Sequence, residues 1–199
     1  MNLADIIDTF ISGDWGEESP TEDTPNAAYC VRGADIVPIT NHSFTDIPQR
    51  YVCDRTKETK LLAASDLVIE KSGGSPTQST GRIVYVSEDL IKVKGNVVCS
   101  NFCTAFRVKA GWNPLYVYYY WQNVYNQGAF FNFEGKTSGI KNLQLDNALS
   151  AIDIEHLPLE KQNQIVASLA SIDEKIKVNR QINDNLPMLD RSLIEVEAR

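Results

Sequence analysis

The chain has 199 residues, 43% of them hydrophobic, enough for one buried core, and a net charge of −7 that taken alone argues against a polyanionic partner. The charge is unevenly placed: residues 1–49 carry −8, residues 50–141 carry +5 and residues 142–199 carry −4, so a basic middle third can still present one positive face. No run of eighteen apolar residues exists and Met1-Asn2-Leu3-Ala4-Asp5 lacks the basic and apolar start of a secretory signal, so no membrane span is expected, the expected location is the cytoplasm, and the four cysteines are read as reduced apolar residues.

Leu3, Ile6, Ile7, Phe10 and Ile11 recur at helical spacing and predict an opening helix stopped by Ser12-Gly13. The acidic, proline-bearing stretch 14–26 reads as a loop. Val31 ends a strand, and Gly33 supplies the turn after it. Asp66 to Glu70 reads as a buried strand, followed by a certain loop over Lys71-Ser72-Gly73-Gly74-Ser75-Pro76-Thr77-Gln78-Ser79-Thr80-Gly81-Arg82. Its glycines let backbone N–H groups approach a phosphate, its hydroxyls and Gln78 offer hydrogen bonds, and Lys71 and Arg82 put charge at the rims; a plain hairpin connection fits the same residues. Ile83–Val86, Leu90–Val98 and Phe102–Val108 are read as strands, the second from the alternation of Ile91, Lys92, Val93 and Lys94. Asn113-Pro114 opens a helix with a capping side chain and a first-turn proline, carrying Tyr118, Trp121 and Tyr125 on one core-facing side until Gly128. A second basic glycine segment follows, Gly135-Lys136-Thr137-Ser138-Gly139-Ile140-Lys141.

The C-terminal stretch places Ile165, Leu169, Ile172 and Ile176 on one narrow seam, and the spacing resumes at Ile182, Leu186, Leu189, Leu193 and Val196. That is coiled-coil geometry, although an amphipathic helix lying on its own domain has the same period. The two runs join if Asn179 takes a seam position with a three-residue insertion. Pro187 should kink or end the helix.

The wording of this stretch, Pro158-Leu159-Glu160, Gln162, Ile165-Val166, Leu169, Ile172-Asp173, Lys175-Ile176 and Asn179-Arg180 with Ile182-Asn183 and Leu186, resembles the conserved helical region of type I restriction-modification specificity subunits. Arg32-Gly33-Ala34-Asp35-Ile36 looks like the segment opening many recognition domains of that family, and Ser72 to Pro76 with Gly81-Arg82, and Gly135 to Leu143, are similar to segments within them. The resemblance implies an α+β fold: a mixed target-recognition domain over residues 1–150, then a long C-terminal coiled-coil helix over 157–199 that docks methyltransferase subunits. It further implies double-stranded DNA as ligand, with contacts from Arg32, Lys71, Ser72, Gly73, Gly74, Ser75, Gln78, Ser79, Arg82, Lys136, Thr137, Ser138 and Lys141. Methyltransferase subunits, and a restriction subunit, are the implied protein partners.

Family members normally carry two recognition domains and two helices, and this chain has the counterpart of one of each. A lone seam has nothing to bury it, so two copies are expected to pair antiparallel through Ile165, Leu169, Ile172, Ile176, Asn179, Ile182 and Leu186. A rod over 160–186 is about 40 Å long at about 1.5 Å per residue. That length spans roughly 12 base pairs, so the expected target is an interrupted palindrome. Catalysis is not expected and no cofactor is implied. Asn113-Pro114-Leu115-Tyr116 differs by one residue from an amino-methyltransferase tetrapeptide, but no glycine-rich cofactor loop accompanies it, and neither the histidines nor the cysteines have metal-ligand spacing. A self-contained nuclease or methyltransferase, and a coiled-coil scaffold without a DNA role, are the rival readings.

Overall fold

The computed structural model describes residues 1–75, 77–137 and 140–197, without the side chains of Lys136, Thr137 and residues 184–197. A 3-10 turn at Leu3–Ile6 leads into β1 (Ile7–Ser12), and the acidic loop runs to β2 (Asn26–Val31). A 3-10 turn at Gly33–Asp35 precedes α1 (Ile36–Thr40), β3 (Gln49–Val52), α2 (Asp54–Thr59), β4 (Leu67–Glu70) and β5 (Ser72–Gly73). Then come β6 (Ile83–Tyr85), α3 (Glu88–Lys94), β7 (Val97–Cys99), β8 (Cys103–Val108) and α4 (Pro114–Asn126). After a 3-10 stretch at Ala129–Phe133 the chain closes with β9 (Glu134–Thr137), β10 (Ile140–Leu143), α5 (Leu145–Ala151) and α6 (Leu159–Glu197). The fold is α+β with a long terminal helix, as expected.

Among the described residues three sheets are formed: β1-β8-β4-β6, β3-β2-β7 and β5-β10-β9. All four residues of β4 are buried because the first sheet is covered on both faces. Leu67, Ile69 and Phe106 pack with Trp121, Phe130 and Val117 on one side, and Val68, Ala105 and Cys103 with Val31, Leu90 and Val97 on the other. Trp121 stacks on Phe130 at 4.8 Å and donates Nε1–H to the Gly81 carbonyl at 2.7 Å, so the aromatic side of α4 is core. Asn113 caps α4, its Oδ1 accepting from the N–H groups of Leu115 and Tyr116 at 2.9 and 3.3 Å.

The opening helix is not formed beyond Ile6. Residues 7–12 are instead β1, paired antiparallel with β8, and a bulge between Ile7 and Thr9 inverts the facing of the strand. Ile7 therefore joins the α4 side of the core and Ile11 the opposite side, a spacing that imitates a helix. The expected strand over Leu90–Val98 is also divided. Residues 88–94 form α3, whose N-cap Ser87 accepts from Leu90 N–H at 3.1 Å and whose Lys92 pairs with Glu88 at 3.1 Å, and only 97–99 are strand. Val93 is 66% exposed, so the four-residue alternation did not mark a sheet face. Nor does the terminal helix end at Pro187, since α6 continues to Glu197. α5 had no counterpart in the sequence reading; its buried Ala148 and Leu149 pack on the core.

Candidate nucleic-acid interface

The fold brings both glycine segments into one small sheet. β10 pairs antiparallel with β9 to make the second segment a hairpin, and its other edge pairs with β5 of the first, Lys141 opposite Gly73 and Asn142 opposite Ser72. Ser72 Oγ donates to Asn142 Oδ1 at 2.5 Å. Beyond β5 the chain folds back on itself, Ser75 and Gln78 exchanging N–H···O bonds at 3.0 and 3.2 Å, with Gln78 N–H also reaching Ser75 Oγ at 3.1 Å. The side chains of Ser75, Thr77 and Gln78 are thereby gathered at one tip, with Thr77 and Gln78 exposed.

Two carboxylates hold this assembly. Glu70 ends an otherwise wholly apolar strand, is 3% exposed, and accepts both Arg82 Nε at 2.8 Å and Arg82 Nη2 at 2.6 Å. This pair raises the Arg82 guanidinium above its ordinary value. Glu134, with its side chain 6% exposed, accepts Thr80 N–H at 2.7 Å on Oε1 and the Lys141 ammonium at 2.9 Å on Oε2. Lys141 also donates to the Gln78 carbonyl at 3.3 Å and lies 5.1 Å from the Phe131 ring. Glu134 thus fastens the first loop to the second hairpin.

The glycines serve this construction. A Cβ at Gly33 would overlap Glu70 Oε1, and one at Gly73 would lie 2.6 Å from the same atom, so both positions make room for the Glu70–Arg82 pair. Gly33 is needed for that close approach and not for a left-handed turn, since positive φ is found at Gly73, Gly74 and Gly81 but not there.

The expected contact residues therefore fall into distinct places. Arg82 is drawn inward, its side chain 16% exposed. Arg32 is forked onto Asp35, Nε to Oδ2 at 2.9 Å and Nη2 to Oδ1 at 2.8 Å, with a further bond to the Asp46 carbonyl. Ser79 is 2% exposed, and its carbonyl accepts the Tyr125 hydroxyl. Lys71 is half-buried, and its ammonium has no ion-pair partner among the described residues. Ser72, Gly73, Gly74, Ser75 and Gln78 line the edge and tip. Lys136 and Thr137 lie on β9 with side chains outside the described residues, as Ser138 does entirely. The sequence reading missed Glu70, Thr80 and Glu134; the only local signal was a carboxylate closing an apolar strand.

α6 is rooted by Gln162, also missed as a structural residue. It is fully buried, accepts Asn113 N–H at 2.8 Å, and donates to the carbonyls of Leu157 and Gly111 at 2.8 and 3.2 Å. Val166 is buried beside it, and Ile165 is partly buried against the same core. Farther along, Tyr119 donates to Asp173 at 2.6 Å, Lys177 lies 3.9 Å from Asp89, and Arg180 donates to Asn41. Residues 162, 166, 173, 177 and 180 form the inward stripe. The seam residues lie roughly a quarter turn away at 3.6 residues per turn. Leu169 is half-buried; Ile172, Ile176 and Ile182 are exposed at 53%, 42% and 52%, and Asn179 is exposed. The Leu186 side chain lies outside the described residues.

Among the described residues no cluster of three metal-ligating side chains occurs, and no helix is long and apolar enough to cross a membrane. The model of the type I restriction modification DNA specificity domain matches residues 4–188. No curated protein matches the chain. Among solved structures, the fold is similar to a chain from a study of complex assembly and conformational transition of the type I R-M system, with TM-score 0.58, 18% identity, and coverage of 97% of this chain and 42% of that one. It is also similar to the HsdS subunit from Thermoanaerobacter tengcongensis, with TM-score 0.53, 17% identity and coverage of 98% and 43%. A third likeness is to the type I S subunit from M. genitalium, with TM-score 0.55, 15% identity and coverage of 98% and 47%. The chain spans less than half the length of these structures, and at such identities the likeness is one of fold. With the family model matched over nearly its whole length, the chain belongs to the type I restriction-modification DNA specificity family.

Proposed function

We propose that this chain reads one half of a bipartite site in double-stranded DNA and directs adenine methylation and restriction carried out by partner subunits in the cytoplasm. The observation that carries this reading is the joining of the two glycine segments into one sheet with a polar tip, in a chain of this family. Residues 1–150 form the recognition domain and 157–199 the region that docks methyltransferase subunits. Ser75, Thr77 and Gln78 present the hydrogen-bonding groups that distinguish base edges, while Lys71, Lys136 and the backbone of Ser72–Gly74 meet phosphates. Arg32, Arg82 and Lys141 keep the surface in shape, because Asp35, Glu70 and Glu134 already hold their charges. The chain supplies no chemistry and needs no cofactor of its own.

Two copies pair through α6. Ile172, Ile176 and Ile182 are apolar and exposed, outside the stripe of polar latches, which supports an antiparallel partner there. The twofold then requires inverted half-sites. Methylation should be mapped in cells with and without the gene, this being the only specificity chain present. The reading expects loss of one interrupted palindromic adenine motif; an unchanged methylome overturns it, and a lost motif with unrelated halves overturns the homodimer.

A further inference from the structure

Most polar side chains of the first glycine segment are engaged within the fold. Ser72 Oγ donates to Asn142 Oδ1 at 2.5 Å, Ser75 Oγ accepts Gln78 N–H at 3.1 Å and lies 3.4 Å from Thr77 Oγ1, and Ser79 and Thr80 are 2% and 0% exposed. Gln78 differs from all of them. Its backbone is fixed on both sides, the N–H by Ser75 and the carbonyl by Ser75 N–H at 3.0 Å and the Lys141 ammonium at 3.3 Å. Its carboxamide is exposed and has no hydrogen-bond partner among the described residues. The main chain is held while the side chain stays free, which lowers the ordering cost of any contact made there.

A carboxamide carries a donor and an acceptor side by side in one plane. In the major groove adenine presents the complementary pair, the N6 amino group and N7, and a glutamine meets both at once. Guanine is ordinarily read there by Arg or Lys, and cytosine by a carboxylate. The cation at this tip, Lys141, is already held by Glu134 at 2.9 Å, and the Glu134 side chain is only 6% exposed. The choice of groove follows from the width of the tip. The chain enters and leaves it as two antiparallel segments bridged at Ser75 and Gln78. The major groove of an undistorted duplex, about 12 Å wide, admits a two-stranded ribbon, unlike the minor groove at about 6 Å. We infer that Gln78 reads an adenine through the major groove, its carboxamide oxygen accepting from the N6 amino group and its nitrogen donating to N7, an inference that rests on the proposed function.

The test uses the chain assembled with its methyltransferase partners. Affinity is measured for its site with each adenine of either strand, other than the methylated one, replaced in turn by 7-deazaadenine, which lacks the N7 acceptor and keeps the pairing edge. One position should bind about tenfold more weakly than the natural site. Gln78→Ala removes no backbone bond, so it should keep the melting temperature, bind the natural site with a similar loss, and no longer respond to 7-deazaadenine at that position. Gln78→Glu leaves an acceptor only and should move the preference there from adenine towards cytosine. The inference is overturned if no adenine shows the effect, or if Gln78→Ala retains it in full. It is also overturned if the response lost in Gln78→Ala is instead to inosine in place of guanine, which would put the carboxamide on the 2-amino edge in the minor groove. Failure of the wild-type assembly to prefer any site overturns the proposed function itself.

Discussion

The four-stranded sheet with α4 and the β5-β10-β9 sheet are held together by different forces. The first is an apolar core in which Trp121, Phe106, Phe130, Leu67 and Ile69 are essentially inaccessible to water. The second buries Leu143 and is otherwise fixed by two carboxylates, Glu70 and Glu134, reaching cations and amides on neighbouring segments. Apolar packing restricts its members to apolar side chains of similar volume, and truncating one leaves a cavity that costs stability. A surface built from a few fixed posts can keep its backbone while its tip residues vary, which suits an edge proposed to read base sequence.

Substitutions should separate the two regions. Trp121→Ala removes a fully buried ring and its bond to Gly81, so a loss of about 3–5 kcal/mol of stability is expected in urea unfolding. Glu134→Ala should cost less, about 1–3 kcal/mol, by leaving Thr80 N–H unpaired. Its distinguishing sign is faster hydrogen exchange at Thr80 and in β10, with the core amides unchanged. Gln78→Ala should leave stability within about 0.5 kcal/mol while shifting sequence preference by about 1–3 kcal/mol at one base pair. Equal losses of stability in all three variants would erase the distinction between the regions.

Cysteine chemistry gives a smaller contrast. Burial pushes the Cys30 thiol up to about 12 and the Cys103 thiol up to about 11, and raises Cys99 further, whereas hydrogen bonding with Thr56 lowers Cys53. Iodoacetamide at mildly alkaline pH should therefore label Cys53 alone until the chain is unfolded. The smallest expected effect concerns the latch between α6 and the domain. Burial, then Lys177, lowers His42 below its ordinary 6.5, with Asp89, Glu174 and Asp173 opposing. A histidine lowered in the fold favours folding above the unfolded value and loses that contribution as the pH falls below it. Mild acid should slightly increase exchange in the latch segment, and His42→Gln should remove that dependence.

Legibility followed the range of the interaction. Asn113 could be read as a cap because its acceptor and its partners are two and three residues apart, and the loop ending in Arg82 because glycines and hydroxyls mark loops locally. The role of Arg82 was not legible, because its partner Glu70 lies twelve residues back and becomes a partner only when β4 and β6 pair. Glu134 and Thr80 are 54 residues apart, and nothing in either neighbourhood announces the other. Two errors arose from short patterns: a bulge in β1 gave strand residues a helical spacing, and four alternating residues in α3 matched a sheet. The long helix α6 was legible from its period, but its polar latches to Tyr119 and Asn41 were not, since each depends on the docking of two distant elements.

The central claim is that DNA lies along the β5-β10-β9 edge. Its most direct test is the salt dependence of site-specific binding by the assembled complex carrying Lys71→Ala and Lys136→Ala together. The account predicts weaker binding and a fall of roughly 0.9 in the logarithmic salt slope for each phosphate contact removed. An affinity and a slope both equal to those of the wild type would contradict it.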